Sequence, residues 1–184
     1  TSTIETFAPL ALQEDYDNCG FLIGDRQTEI KGALIAVDLT LAVVEEAIEN
    51  NCNLIVTHHP FIFSGIKSVT TDSAVGQMIY LLIRNNISVY AAHTNLDNAA
   101  EGVNKQIANV LGLVNTTPLQ DKGNGNGAGI IGDLPKSISE PQMLKQLQEL
   151  FKVPAIKHNG ELGRSISKVA LCGGSGAFLI PDAV

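Results

Sequence analysis

Three of the four histidines in this 184-residue chain stand in two short segments whose side chains suit metal coordination. The apolar run 54–57 ends in Thr57-His58-His59-Pro60, and the run 87–92 ends in His93-Thr94-Asn95-Leu96-Asp97. Each cluster follows a predicted strand, and proline at position 60 forbids simple continuation of the first. Imidazole nitrogens and a carboxylate without thiolates suit Zn, Mn, Fe or Co better than a cysteine-type zinc site or a calcium loop. His58, His59, His93 and Asp97 are therefore the candidate residues of a metal site. Adjacent strand residues point to opposite faces, so His58 and His59 would serve two different ions, or one ion where the strand bends.

Other residues carry weaker signals. Asp38 follows a predicted strand in Val37-Asp38-Leu39-Thr40, where a capping role for the next helix is the simpler reading. Asp17-Asn18-Cys19-Gly20 reads as an Asx-turn with a glycine exit. His158 stands alone and reads as an exposed or capping residue.

The elements that must position these groups follow from periodicity. Residues 30–38 read as a buried strand, 41–51 as an amphipathic helix with Thr40 as N-cap, and 53–59 as the next strand. A helix over 73–86, a strand over 87–93 and a helix over 102–112 continue a βαβ rhythm. Right-handed crossovers then imply an α/β fold with a mixed, largely parallel sheet flanked by helices. In such sheets ligands bind beyond the C-terminal ends of the strands, where both histidine clusters fall. Glycines and asparagines over 121–129 predict a flexible surface loop at a glycine-rich junction. A helix over 140–151 and strands over 155–158 and 166–171 follow, and no internal repeat stands out.

Composition narrows the function. With 45% hydrophobic residues the chain has the material for one domain over 1–184 with a substantial core. No run approaches the roughly 20 apolar residues of a membrane helix, and Glu5 and Pro9 interrupt the opening segment where a secretory signal would be basic and then apolar. Cys19, Cys52 and Cys172 are widely separated and read as reduced thiols. These features predict a cytoplasmic protein. A net charge of −7 argues against direct nucleic-acid binding, which needs clustered Lys and Arg.

Five ordered segments together resemble the Nif-three-like family, the dinuclear-metal-centre proteins often called GTP cyclohydrolase 1 type 2 homologues. They are Ala8-Pro9-Leu10-Ala11 with Asp17-Asn18-Cys19-Gly20, residues 53–60 (NLIVTHHP), residues 92–97 (AHTNLD), Gly102-Val103-Asn104, and residues 171–176 (LCGGSG). The resemblance implies two divalent ions held by His58, His59 and Asp97, and a toroidal homohexamer with its sites facing an internal cavity. It gives His93 a near-site, proton-handling role as the catalytic candidate. Further family ligands, a His and a Glu a few residues apart, belong to a C-terminal segment that this sequence lacks, as it lacks the domain that longer members insert after the Asp97 half.

The expected function is metal-dependent hydrolysis of a small molecule, in which two ions about 3.5–4 Å apart would activate a bridging water. A nucleotide, a phosphoester or a cyclic amide would each be compatible substrates. The alternative is a non-catalytic, metal-binding oligomeric adaptor or regulatory protein. No phosphate-binding loop is present and aromatic content is only 5%, which keeps that alternative open.

Overall fold

A computed structural model of the chain describes residues 2–160 and 162–184, and it divides into two compact units, Thr1–Leu96 and Asp97–Val184. The first unit contains helix α1 (Ser2–Phe7), strands β1 (Gly20–Ile23) and β2 (Ala33–Ala36), helix α2 (Leu41–Glu49), strand β3 (Leu54–Thr57), helix α3 (Ala74–Arg84) and strand β4 (Ser88–Ala91). The one-turn helix α4 (Thr94–Asp97) begins there and ends at the first residue of the second unit.

The four strands form one sheet in the order β1-β4-β3-β2. β2 pairs parallel with β3, β3 pairs parallel with β4, and β1 pairs antiparallel with β4. Strand periodicity splits the apolar residues between two faces. Ile55 and Val89 join Val44, Ala47, Met78 and Leu82 in a core beneath α2 and α3. Leu54 and Tyr90 turn the other way, against Ile4, Leu10 and Phe21. Because β3 and β4 are buried on both faces they read as continuous apolar runs, and this made them legible.

Both helices in this layer start with a side-chain cap. The Thr40 hydroxyl accepts from the Val43 N–H at 3.2 Å, and the Ser73 hydroxyl accepts from the Gly76 N–H at 3.1 Å. Both are followed by an asparagine at positive φ, Asn51 at 55° and Asn86 at 54°. A short repeat, not anticipated from the sequence, underlies this symmetry. Residues 48–58 and 83–93 each run from Ile through Asn-Asn to a His at the eleventh position. Two helix–turn–strand passages of equal length thus deliver His58 and His93 to one edge of the sheet.

The second unit contains helix α5 (Val103–Val110), strands β5 (Val114–Gly123) and β6 (Asn126–Ser139), helix α6 (Glu140–Phe151), strand β7 (Ser165–Leu171) and the short helix α7 (Ile180–Ala183). Its sheet, in the order β5-β6-β7, is antiparallel throughout, so the parallel character expected of the fold belongs to the first unit. Ala108, Leu111, Leu113 and Ile130 form its core, with Leu147, Val169 and Leu171 packed against them. Ser139 and Gln142 close a capping box at the start of α6.

Three expectations are corrected here. The strand expected to be buried over 30–38 is the edge strand β2, with Ile35 80% exposed. The segment 121–129 is not a flexible loop: β5 and β6 meet through the two-residue turn Asn124-Gly125, whose φ angles of 55° and 78° are those of a primed hairpin turn. Gly127 then lies so close to β5 that a Cβ there would stand 2.1 Å from the Gln120 carbonyl oxygen. Residues 155–158 form no strand. Among the described residues no helix is long and apolar enough to cross a membrane.

Two glycines separate backbone conformation from crowding. Gly24 has φ of 110°, and a Cβ there would fall 2.2 Å from the Ser88 hydroxyl and 2.8 Å from the Ser88 Cα. Gly112 has φ of 71° with open space around it. Gly24→Ala should lower unfolding free energy by about 3 kcal/mol in urea titration, and Gly112→Ala by only about 1 kcal/mol. Equal losses would show that the contact with Ser88 relaxes freely.

Candidate metal centre

Parallel pairing aligns the strand ends that carry the polar residues. Ala36 lies opposite Thr57, and Thr57 opposite Ala91. Asp38, His58, His59 and His93 therefore all follow strands that stop at the same edge. β1 runs antiparallel, with its first residue Gly20 opposite Ala91, so Asp17 and Cys19 enter at that edge as well.

β3 ends before both of its histidines. The His59 N–H donates to the Val37 carbonyl at 3.0 Å, and the Thr57 hydroxyl donates to the His59 carbonyl at 2.9 Å, bending the chain out of regular strand geometry. This departure removes the opposite-facing arrangement that a straight strand would impose. The rings of His58 and His59 lie 4.9 Å apart, with His93 at 5.1 Å and 5.4 Å from them. A nitrogen from each of the three lies within 4.8 Å of the others, a spread that suits one ion's coordination sphere or two adjacent ions.

The Nδ1 atom of every one of these rings is held by an oxygen. His58 Nδ1 lies 2.9 Å from the Ala92 carbonyl, His59 Nδ1 lies 2.7 Å from Asp38 Oδ1, and His93 Nδ1 lies 3.0 and 2.9 Å from the two oxygens of Asp17. A carbonyl or carboxylate can only accept, so Nδ1 carries the proton in each case and Nε2 is the basic nitrogen. Metal-binding histidines have this outer support, which fixes ring orientation and raises the basicity of the other nitrogen. The donor set therefore fits a transition-metal ion.

The supporting carboxylates differ in environment. Asp38 and His59 are 64% and 49% exposed, so their ion pair contributes little to stability. The capping role expected for Asp38 is not seen, since Thr40 caps α2 and Asp38 bonds His59. The Asp17 side chain, by contrast, is shielded from solvent. Its carboxylate accepts from the Asn18 N–H at 2.7 Å, the Thr94 N–H at 3.1 Å, the Cys19 thiol at 3.0 Å and the Thr94 hydroxyl, in addition to His93. Burial alone would raise its pKa, but the hydrogen bonds from Cys19, His93, Thr94 and the Asn18 N–H outweigh this and hold it far below the ordinary carboxylate value. The Asx-turn expected from the sequence does not form, because Asp17 accepts from the N–H one residue on rather than two, and the Cys19 N–H donates to Gln13 Oε1 at 3.0 Å; the residue's role is to brace His93.

Burial and the bond to Asp17 push the Cys19 thiol up to about 11. Cys19 is therefore protonated at neutral pH and donates to Asp17.

Among the other sequence candidates, Asp97 is the last residue of α4 and its Oδ1 is buried. It is not one of the three residues in the histidine group. His158 is exposed, with Nδ1 2.6 Å from the Asn159 carbonyl. Asp17 is the residue that sequence reasoning undervalued, because its contacts with His93 and Thr94 span 76 and 77 positions.

The family model for Duf34/NIF3 (NGG1p interacting factor 3) matches residues 1–184. The chain belongs to this family. It is 36% identical over 183 residues to a protein of Clostridium acetobutylicum named "GTP cyclohydrolase 1 type 2 homolog", covering 98% of this chain and 68% of that one. A Streptococcus pneumoniae protein of the same name is 34% identical, covering 98% and 69% respectively. A Staphylococcus aureus hypothetical protein superposes with a TM-score of 0.87 at 28% identity, over 96% of this chain and 71% of the other. A Bacillus cereus protein related to NIF3 superposes equally well at 25% identity, over 98% and 77%.

Asp17 links stability to pH with a definite sign. Because its folded pKa is lowered, its stabilisation is fully present above the ordinary carboxylate value near 4 and is lost as pH falls towards the folded value. Urea midpoints should decline from pH 5 to pH 3, and Asp17→Asn should be less stable at pH 7 with a flatter profile in that window. Parallel profiles for the two proteins would remove Asp17 as the source.

Proposed function

We propose that this NIF3-family chain binds divalent transition-metal ions, two per chain, and uses them to hydrolyse a small molecule. The observation that carries this reading is the uniform support of His58, His59 and His93 through Nδ1. Three buttressed imidazoles in one group are costly to arrange and serve little purpose as surface residues. His58 and His59 act as nitrogen ligands, and Asp97, four residues beyond His93 in the chain, adds a carboxylate. The ions, when bound, supply Lewis acidity and lower the pKa of a coordinated water.

The chain's own residues then have distinct tasks. His58 is fixed by the Ala92 carbonyl and His59 by Asp38, so both present Nε2 without a search over ring orientations. His93 is oriented by Asp17, and its Nε2 accepts and returns a proton during hydrolysis. Cys19 and Thr94 hold Asp17 ionised, so that its carboxylate accepts from His93 Nδ1. The name shared by the curated relatives points to the nucleotide GTP as substrate, and a phosphoester or a cyclic amide is equally compatible with the proposed chemistry. A homohexamer is the proposed assembly.

Elemental analysis of the purified, dialysed protein, with native mass on the same sample, tests the metal reading. The expected result is transition metal retained by the wild type, with most of it lost in His59→Ala and Asp97→Ala at unchanged helical content. Equal metal in all three proteins would overturn the ligand assignment.

The hydrolase reading has its own test. Zinc- or manganese-loaded protein should change the ultraviolet spectrum of GTP or release nitrophenolate from bis(p-nitrophenyl) phosphate, and His93→Gln should slow turnover at least about 100-fold while retaining metal. Silence on both substrates with metal bound would favour the adaptor role.

A further inference from the structure

Three motifs in the second unit have no part in the site described so far: Gly102-Val103-Asn104, the Asn124-Gly125 hairpin, and residues 171–176 (LCGGSG). They meet around the backbone of residues 97–100. Asn104 lies in the first turn of α5 and is only 3% exposed. Asparagine is a weak helix former, and burying its amide is unfavourable unless every polar atom is bonded. Here both ends are used. Nδ2 donates to the Asp97 carbonyl at 3.0 Å, and Oδ1 accepts from the Gly173 N–H at 2.7 Å.

The Asp97 carbonyl is the last of the one-turn helix α4, and such terminal carbonyls have no partner within their own helix. The neighbouring peptides are also tied. The Asn98 carbonyl accepts from the Gly127 N–H at 2.8 Å, and the Ala100 N–H donates to Asn126 Oδ1 at 2.9 Å. Gly127 and Asn126 occupy that position because the hairpin turn and the close approach of Gly127 to Gln120 set the register. On the other side, Gly176 must lack a Cβ, which would fall 2.6 Å from the Cys172 Cβ, so the glycine turn fixes the segment that presents the Gly173 N–H.

We propose that Asn104 is a positioning residue for Asp97. It clamps the backbone on which this carboxylate is mounted, and the hairpin and the LCGGSG turn serve as the two abutments of the clamp. The inference rests on the proposed role of Asp97 as a metal ligand. A ligand at the end of a one-turn helix has little backbone support from that helix, and outer supports of this kind change metal affinity by about 10- to 100-fold.

The test is a thermodynamic cycle on the full chain, with zinc affinity measured by competition against a chromophoric chelator well below the unfolding midpoint of each protein. Asn104→Asp keeps the acceptor for Gly173 and removes the donor to Asp97. It should weaken zinc binding about tenfold. Asp97→Ala should weaken it more, and the double variant should match Asp97→Ala alone, since Asn104 acts only through Asp97. Asn126→Ala, at the other abutment, gives a second reading if Asn104→Asp does not fold, and should weaken binding in the same Asp97-dependent way.

Wild-type zinc affinity in folded Asn104→Asp and Asn126→Ala would overturn the inference and leave the ligand assignment standing. So would losses that add in full to that of Asp97→Ala. Wild-type affinity in Asp97→Ala would overturn the ligand assignment, and the inference with it.

Discussion

Ala92 couples the fold to the chemistry through the two ends of a single residue. Its N–H donates to the Thr57 carbonyl at 2.9 Å, extending the β3–β4 ladder by one rung, and its carbonyl accepts from His58 Nδ1 at 2.9 Å. The register that pairs Thr57 with Ala91 therefore also sets the tautomer of His58. A one-residue slip would turn Ile55 and Val89 away from the core beneath α2 and α3, so the apolar packing enforces that register. The orientation of His58 is a consequence of core burial some distance from any ligand.

His93 depends on a different constraint. Asp17 reaches it from the segment before β1, the only strand of its sheet that runs antiparallel to its neighbour. Were β1 parallel, the residues before it would emerge at the opposite edge. The antiparallel edge strand places its N-terminal side beside the C-terminal ends of the other three, and this lets a buried carboxylate stand behind His93. Desolvating Asp17 is expensive, and several donors on one carboxylate offset the cost.

Local signals in the sequence were sufficient for β3, β4, α2, α3 and α6, where apolar runs or caps state the element directly. They failed for β5, whose residues 114–123 are mostly polar and exposed and which is a strand because β6 pairs with it. The Asn124-Gly125 pair is a strong hairpin signal, but surrounding glycines made it resemble a loop. In the candidate site, the histidines were legible because strand ends in α/β sheets collect ligands. The partners of those histidines were not, since Asp38 and Asp17 reach His59 and His93 from 21 and 76 positions away.

The supports themselves show a division by charge. Behind His59 and His93 stand carboxylates, and behind His58 a carbonyl; each holds the proton at Nδ1 and leaves Nε2 with its lone pair, which on His58 and His59 suits a cation and on His93 a proton. Behind Asp97 stands the neutral amide of Asn104, which donates to the Asp97 carbonyl. A cationic support on the Asp97 side chain would hold it as firmly but would neutralise the charge that a metal needs. A carboxylate support would repel it. An asparagine bonded to the peptide fixes position and leaves the charge of Asp97 intact, which is the requirement for a carboxylate ligand and the reverse of the requirement for an imidazole.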